Sequence, residues 1–515
     1  MNVLSGTDVL RQDYTRIMQK TKDLAIIDSI DGVMNWDMET KMPPRGINLR
    51  SQQLGMLGQI EHRLSTDPEI GQLLEKIRSH KDYESLSEIE KRNVHLIKKN
   101  YDEMTALPEE LVVEMAKQAT IAVGIWKKAK AAKNYAIFKP DLEKLFELRK
   151  KAGEILMSVK GTATPYDALI DFFESAMTSD RITRIFDELR VGLVQILNKC
   201  TSASKQPDRS FLQRKVPIDV QRKIADSLVK VISYDVDSPN AGGRIDETEH
   251  PFTNGYFDDV RITTHYFEDN FASSVFSVLH EGGHAMYDQN INHGWMFQPV
   301  GGGCSFGFHE SQSRFVENIF GRSTEFWSYY LPQLKSLTGN LSDVSLEKFV
   351  HAINAVRPSK IRVEADEVTY CLHIIIRFNI ERDWFAGKIS VSDLPQAWNE
   401  QYMNYLGVNI GDDSEGLMQD THWGLGYFGY FPSYALGNVY SGQLLAKLKR
   451  DMPDWNQHIA KGDFQTIRQW LTTNVHNYGN LYDPADLIKK IAGEEINVKD
   501  YLGYLNEKYS KLYGY

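Results

Sequence analysis

The chain has 515 residues and a formal net charge of −10, with Lys plus Arg at 59 against Asp plus Glu at 69. That length covers one large domain or about three of ordinary size. With 25% charged and 42% hydrophobic residues the balance is that of a globular chain rather than a disordered one. No stretch approaches the ~18 apolar residues of a membrane span, and no basic cluster offers a polyanion-binding surface, so neither membrane nor nucleic acid is expected as a partner.

Cys200, Cys304 and Cys371 are the three cysteines. Odd in number and far apart, they make no disulfide framework and no four-thiolate metal site, which points to a reducing cytoplasm. The first residues lack the basic and apolar regions of a signal peptide.

In chain order, residues 1 to about 200 carry apolar positions at spacings of three and four and read as helix after helix. Trp36–Gly46 interrupts them as a fixed turn. Ser87 and Glu90 form a capping box. Pro108 stands at a first helical position, with Glu109 and Glu110 in the positive first turn. The basic run Trp126–Lys133 reads as one face of a helix. Residues 260–267 alternate β-branched and aromatic positions and form the one clear strand candidate. From Phe271 helices return, broken by Gly- and aromatic-rich segments at 294–308 and 424–440. The expected fold is mainly α with one small β-sheet. No linker divides it, so 1–515 reads as a single domain, with a helical part at about 1–200 and a core at about 250–440.

The strongest chemical signal is His280-Glu281-Gly282-Gly283-His284, which Asp269 or Asn270 can cap as a helix. Positions 280 and 284 are one turn apart, so both imidazoles leave the same face and can share an ion. Glu281 lies about 100° round the helix, beside the ion, where it can take a proton from water. The pattern alone arises by chance in about one chain in forty of this composition. Paired glycines inside a helix cost about 1 kcal/mol each, which makes sense where another backbone or a substrate comes close.

A catalytic zinc takes a third protein ligand and keeps one position open. A second helix beginning at His309 offers Glu310 and Glu317 as competing ligands. Arg314, one turn after Glu310, would orient that carboxylate. Asp288 lies too far along the first helix to close on the same ion and reads as an acceptor for an imidazole N–H or as solvated.

Taken together, WDMETKMPPRG (36–46), HPF (250–252), DVRIT (259–263), HEGGH (280–284), HESQS (309–313), IRVEAD (361–366) and GLMQDTHW (416–423) resemble the signatures of the thermostable carboxypeptidase Taq family, the M32 metallocarboxypeptidases. The resemblance runs along nearly the whole chain. It implies a helical fold similar to neurolysin and angiotensin-converting enzyme, with a deep groove and the N-terminal helices as a lid. It implies His280, His284 and Glu310 as metal ligands, for Zn2+ with Co2+ as the alternative, and Glu281 as general base. It also implies a homodimer that removes single residues from free peptide C-termini with broad preference.

Around that site, the segment 419–434 looks like the His and Tyr segment of related helical metallopeptidases. His422 and Tyr430 are the expected oxyanion donors, with Tyr427 and Tyr434 as rivals. Arg362 is the expected reader of the substrate's α-carboxylate because its planar fork matches that group, and Arg377 is the alternative. Structurally, Arg362 could instead pair with Glu364 or Asp366. The strand at 260–267 could add an extended peptide to its edge, Asp259 and Arg261 could brace it, and His250-Pro251-Phe252 forms a rigid turn that the resemblance puts at one end of the groove. Competing readings are an oligopeptidase or dipeptidyl carboxypeptidase on the same fold, and a non-catalytic metal- or peptide-binding protein.

Overall fold

A computed structural model describes residues 6–515, with side chains from Asp8 onward. The fold is mainly helical with one small sheet. Among the described residues no helix is long and apolar enough to cross a membrane. The chain divides into two compact units, each assembled from separate stretches of sequence.

The first unit comprises the described residues up to Ala106, Lys215–Cys304 and Asp463–Tyr482. Its first helix, Gly6–Thr40, runs through the first half of the expected turn, so that only residues 41–46 turn. Leu10, Ile17, Leu73, Leu74, Ile77 and Val94 gather into one apolar cluster, the helical spacing having put them on facing stripes. Ser87 and Glu90 make the expected reciprocal cap, at 2.8 Å from the Ser87 amide to the Glu90 carboxylate and 3.3 Å from the Glu90 amide to the Ser87 hydroxyl.

The sheet has three strands, β1 (Gly243–Glu247), β2 (Thr253–Tyr256) and β3 (Asp259–Thr264), in the order β1-β3-β2. β3 pairs parallel with β1 and antiparallel with β2. This corrects two expectations. The strand ends at Thr264 rather than 267, and it is central, so both its edges are already hydrogen-bonded and no peptide can add to it. Asp259 and Arg261 do brace it, with two guanidinium–carboxylate hydrogen bonds of 2.7 Å. The Arg261 and Arg244 guanidiniums lie 4.4 and 4.7 Å from the Trp36 ring, and Lys41 reaches Asp246 at 2.7 Å. These contacts fasten the end of the first helix to the sheet.

The second unit comprises Leu107–Arg214, Ser305–Gly462 and Asp483–Tyr515. Pro108 stands one residue before the helix Glu109–Ala131, whose last turns bury Trp126 and Ala129 and turn Lys127 and Lys128 outward, as the basic run implied. Tyr370–Phe385 is buried on nearly every side, which is why its sequence shows no polar stripe. Pro432–Asp451 is likewise buried along most of its length, and it begins inside the segment expected to be a break. The short helix Phe306–Arg314 starts three residues earlier than His309 because Ser305 caps it, accepting from the Phe308 amide at 3.0 Å. It continues directly into a π-helical turn, Phe315–Phe320.

Candidate metal centre and active site

In the first unit, the helix Phe271–Asn290 buries Phe271, Val275, Val278, Leu279, Ala285 and Met286. Asn270 occupies the cap position, but its side chain makes no capping hydrogen bond, so the end is tied only by the Ser273 amide to the Asn270 carbonyl at 3.1 Å. His280 and His284 project from one face, half-buried, with ring centroids 5.0 Å apart. Asp288 follows one turn later, also half-buried.

Glu281 is 6% exposed. Thr253, the first residue of β2, donates its hydroxyl to Glu281 Oε2 at 2.6 Å, and that Thr253 Oγ1 also lies 3.0 Å from the Glu281 carbonyl oxygen. The HPF turn leads into this residue, with the Phe252 amide on the Thr263 hydroxyl at 2.8 Å. Gly282 is needed for a close approach, but by a side chain: a Cβ there would fall 2.3 Å from Ile232 Cδ1. The expected backbone or substrate contact is therefore replaced at Gly282 by ordinary core packing.

In the second unit, Glu310 is 5% exposed and is held by its own helix, accepting from Arg314 Nε at 2.7 Å and from Ser313 Oγ at 3.1 Å. Arg314 lies 4.1 Å from the Tyr370 ring centroid. The Glu310 stem packs on Gly437, where a Cβ would come within 2.8 Å of both Glu310 Cβ and Cγ. Glu317, the rival ligand, is engaged by Arg314 at 3.3 Å and Arg322 at 3.0 Å. The start of the Glu310 helix is clamped by the fully buried Glu174, which accepts from the Gly307 amide at 3.0 Å and the Tyr440 hydroxyl at 2.7 Å. Burial pushes the Glu174 carboxyl up to about 7, against the pull of those two hydrogen bonds.

The His and Tyr segment forms a second cluster in the same unit. Asp420 receives Arg362 Nε at 3.0 Å and Nη2 at 2.8 Å on one oxygen, and Arg377 Nε at 2.7 Å on the other. Burial opposes its charge, yet the two guanidiniums hold its pKa well below the usual carboxylate range. The ion-pair partner of Arg362 is thus Asp420, not Glu364 or Asp366. Asp366 instead caps backbone, accepting from the Arg357, Val368 and Thr369 amides at 2.9, 3.0 and 3.1 Å.

His422 places Nε2 3.4 Å from the Tyr434 hydroxyl and leaves Nδ1 buried without a partner. Burial lowers its pKa to about 4; Asp420 opposes that shift, and Arg362 and Arg377 reinforce it, so the imidazole is neutral at pH 7. The Tyr430 and Tyr434 rings meet edge to face, with centroids 5.2 Å apart. Burial raises Tyr430 to about 12, and Glu310 is among the charges that reinforce the shift, so this phenol keeps its proton. Tyr427 stands apart, 44% exposed, with its ring 6.2 Å from that of Tyr430. The segment is fastened by the buried Glu381, which accepts from Trp423 Nε1 at 2.7 Å, the Tyr166 hydroxyl at 2.8 Å and the Gly429 amide at 2.9 Å.

The structure therefore gathers His280, Glu281 and His284 in one unit, and Arg362, Arg377, His422, Tyr430 and Tyr434 in the other, where Glu310 is among the charges felt by the tyrosines. Sequence reasoning missed Thr253, Gly437, Glu174 and Glu381. Asp420 stood inside the GLMQDTHW motif, but nothing local announced its two arginines.

The chain belongs to the carboxypeptidase Taq (M32) metallopeptidase family, whose model matches residues 16–509. It is therefore a peptide hydrolase of the metallocarboxypeptidase type, for which the family implies a divalent metal and peptide substrates. Among known relatives it is 40% identical to carboxypeptidase 1 of Bacillus subtilis over 93% of this chain and 95% of that protein. With thermostable carboxypeptidase 1 of Thermus thermophilus it shares 38% identity over 97% and 99% of the two chains. Its fold matches the crystal structure of an M32 carboxypeptidase from Deinococcus radiodurans R1 with a TM-score of 0.93, 33% identity, and coverage of 98% and 100%.

Proposed function

We propose that this protein removes residues one at a time from the free C-termini of peptides, with broad preference, using zinc held by His280, His284 and Glu310. Two imidazoles and one carboxylate are the donor set of a catalytic zinc site that keeps a position open, and cobalt would suit the same donors. When bound, the ion supplies Lewis acidity, which makes water more acidic and polarises a carbonyl.

The remaining work falls to the chain's own side chains. Glu281 takes the proton from the attacking water and passes it to the leaving nitrogen. The Thr253 hydroxyl occupies one face of that carboxylate and leaves the other oxygen for water. His422, neutral, and Tyr430, protonated, each donate one hydrogen bond to the oxygen that gains charge. Arg362 still has N–H groups beyond those on Asp420 with which to hold the α-carboxylate, its Nη1 being only 3.4 Å from the Tyr370 hydroxyl.

The observation that carries this reading is the buried Glu281 carboxylate, oriented by Thr253 on the same helix as the two histidines. Binding a metal requires no such base. The reading extends to a cytoplasmic homodimer. Three buried free thiols suit a reducing compartment, and the dimer is a family expectation that light scattering would check.

The test is mass spectrometry of mixed peptides with free and amidated C-termini, with zinc and with chelator. One-residue ladders on the free peptides alone, abolished by chelator and by Glu281→Gln, support the proposal. Internal or two-residue cuts that ignore amidation overturn it.

A further inference from the structure

Arg149 lies half-buried on the helix Lys139–Lys160. Its Nε is buried without a hydrogen-bond partner, and no carboxylate pairs with it among the described residues. By contrast, Arg181, Arg190, Arg214, Arg314, Arg322, Arg362, Arg377 and Arg382 of the second unit each have a carboxylate partner. Burial draws the Arg149 pKa below the usual arginine value, and the nearby Tyr427 hydroxyl opposes that shift.

The guanidinium also has a built seat. Gly426 adopts φ +75°, and a Cβ there would fall 2.6 Å from Arg149 Nε, 3.2 Å from Nη2 and 3.3 Å from Cζ. Only a glycine at 426 lets the guanidinium lie against this turn while the backbone takes a left-handed conformation. The turn closes the short helix His422–Leu425 and leads into the exposed Tyr427 and then Tyr430. An unspent planar fork is thereby held at the margin of the segment that carries two of the proposed catalytic donors, in a chain of net charge −10.

A half-buried guanidinium with its Nε shut off from both water and protein partners gains from a counter-charge that arrives from outside, and the partner that its planar fork fits is a carboxylate. We propose that Arg149 is a carboxylate-binding residue for the peptide substrate. This deepens the function proposed above and rests on it only for the identity of the ligand as a peptide. The carboxylate can come from an acidic side chain or from the chain terminus, and the two sources separate experimentally.

The test uses hexapeptides in which one Glu replaces Gln at each of the last four positions in turn, as free acids and as amides. Wild type is compared with Arg149→Met and Arg149→Lys, and melting temperatures confirm that each variant is folded. A side-chain ligand gives wild type a preference for Glu at one position, and Arg149→Met loses it through a KM increase of roughly ten-fold with little change in kcat. A terminal-carboxylate ligand gives the same KM increase on every free acid, whatever its sequence. Arg149→Lys, which keeps the charge but not the fork, should fall between wild type and Arg149→Met, and it carries the test if the methionine variant does not fold. Unchanged KM and kcat on all peptides overturn the proposal. Calorimetric titration of the same peptides into metal-free protein needs no turnover. A wild type that binds acids more tightly than amides through Arg149 but cuts neither would sink the proposed function and leave this inference standing.

Discussion

The hydroxyl of Thr253 stands 2.6 Å from Oε2 of Glu281, reaching from the first residue of β2 to the middle of the helix that carries His280 and His284. One hydrogen bond therefore joins the small sheet to the proposed general base, and the sheet's register sets where that carboxylate points. Thr253→Val should keep the shape of the side chain and lose the bond. The expected result is a fall in kcat of roughly 10–100-fold with metal content unchanged, while Thr253→Ser retains most of the activity. Steady-state kinetics beside metal analysis would check it, and a Val variant with wild-type kcat would remove Thr253 from this role.

Gly437 lets the Pro432–Asp451 helix approach Glu310 so closely that a methyl group cannot fit. Gly437→Ala should displace the Glu310 stem, cost about 1–3 kcal/mol by overpacking, and weaken metal retention in the same step. Denaturant unfolding and equilibrium dialysis with zinc would show both effects together. A variant with lower stability but full zinc affinity would show that the backbone, rather than Glu310, had yielded.

Asp420 neutralises two buried arginines, and Asp420→Asn would leave both without a counter-charge. A loss of about 3–5 kcal/mol is expected at neutral pH. The depressed pKa of Asp420 sets the pH dependence. The stabilisation is complete above the unfolded carboxylate value near 4 and declines as pH falls from there towards the much lower folded value. The gap between wild type and variant should stay constant from pH 7 to about 4.5 and narrow below. Urea titrations at pH 7, 5 and 3 would reveal that profile.

Glu381 and Glu174 behave in the opposite sense, since burial raises each from 4.5 to about 7. Between those values the folded state holds a proton that the unfolded chain has released, so stability falls as pH rises through the window and levels off above it. Each group contributes on the order of 3 kcal/mol to that decline. Glu381→Gln should remove one share, giving a shallower loss of stability between pH 5 and 8. An unchanged slope would mean that Glu381 stays ionised throughout.

What could be read from the sequence followed the range of the interactions. The two histidines are one helical turn apart, so their common face follows from residue spacing, and the Ser87–Glu90 cap spans only three residues. Long-range contacts were not legible in that way. Arg362 lies 58 residues from Asp420, and the nearer Glu364 and Asp366 were the natural partners to expect. Thr253 reaches a carboxylate 28 residues away through a strand whose neighbours could not be read from its own pattern. The strand itself was found, but its central place was not, because alternation records burial and says nothing of which edge is paired. Glu174 and Glu381 carry no sequence signal at all, since a buried carboxylate is spelled like an exposed one.

The interleaving of the two units has a consequence for how the molecule is made. The first unit opens near the N-terminus but is finished only by Asp463–Tyr482, so its last helix, Phe464–Asn474, leaves the ribosome after most of the second unit's sequence. Its earlier stretches must wait through that synthesis with apolar faces uncovered, a situation that favours slow closure and calls for chaperone shelter. The same arrangement bears on fragments. A chain cut at Gly462 loses Asp483–Tyr515 from the second unit together with the closing piece of the first, so neither unit is available as a simple truncation, and limited proteolysis near residue 462 would be expected to inactivate rather than to release an intact domain.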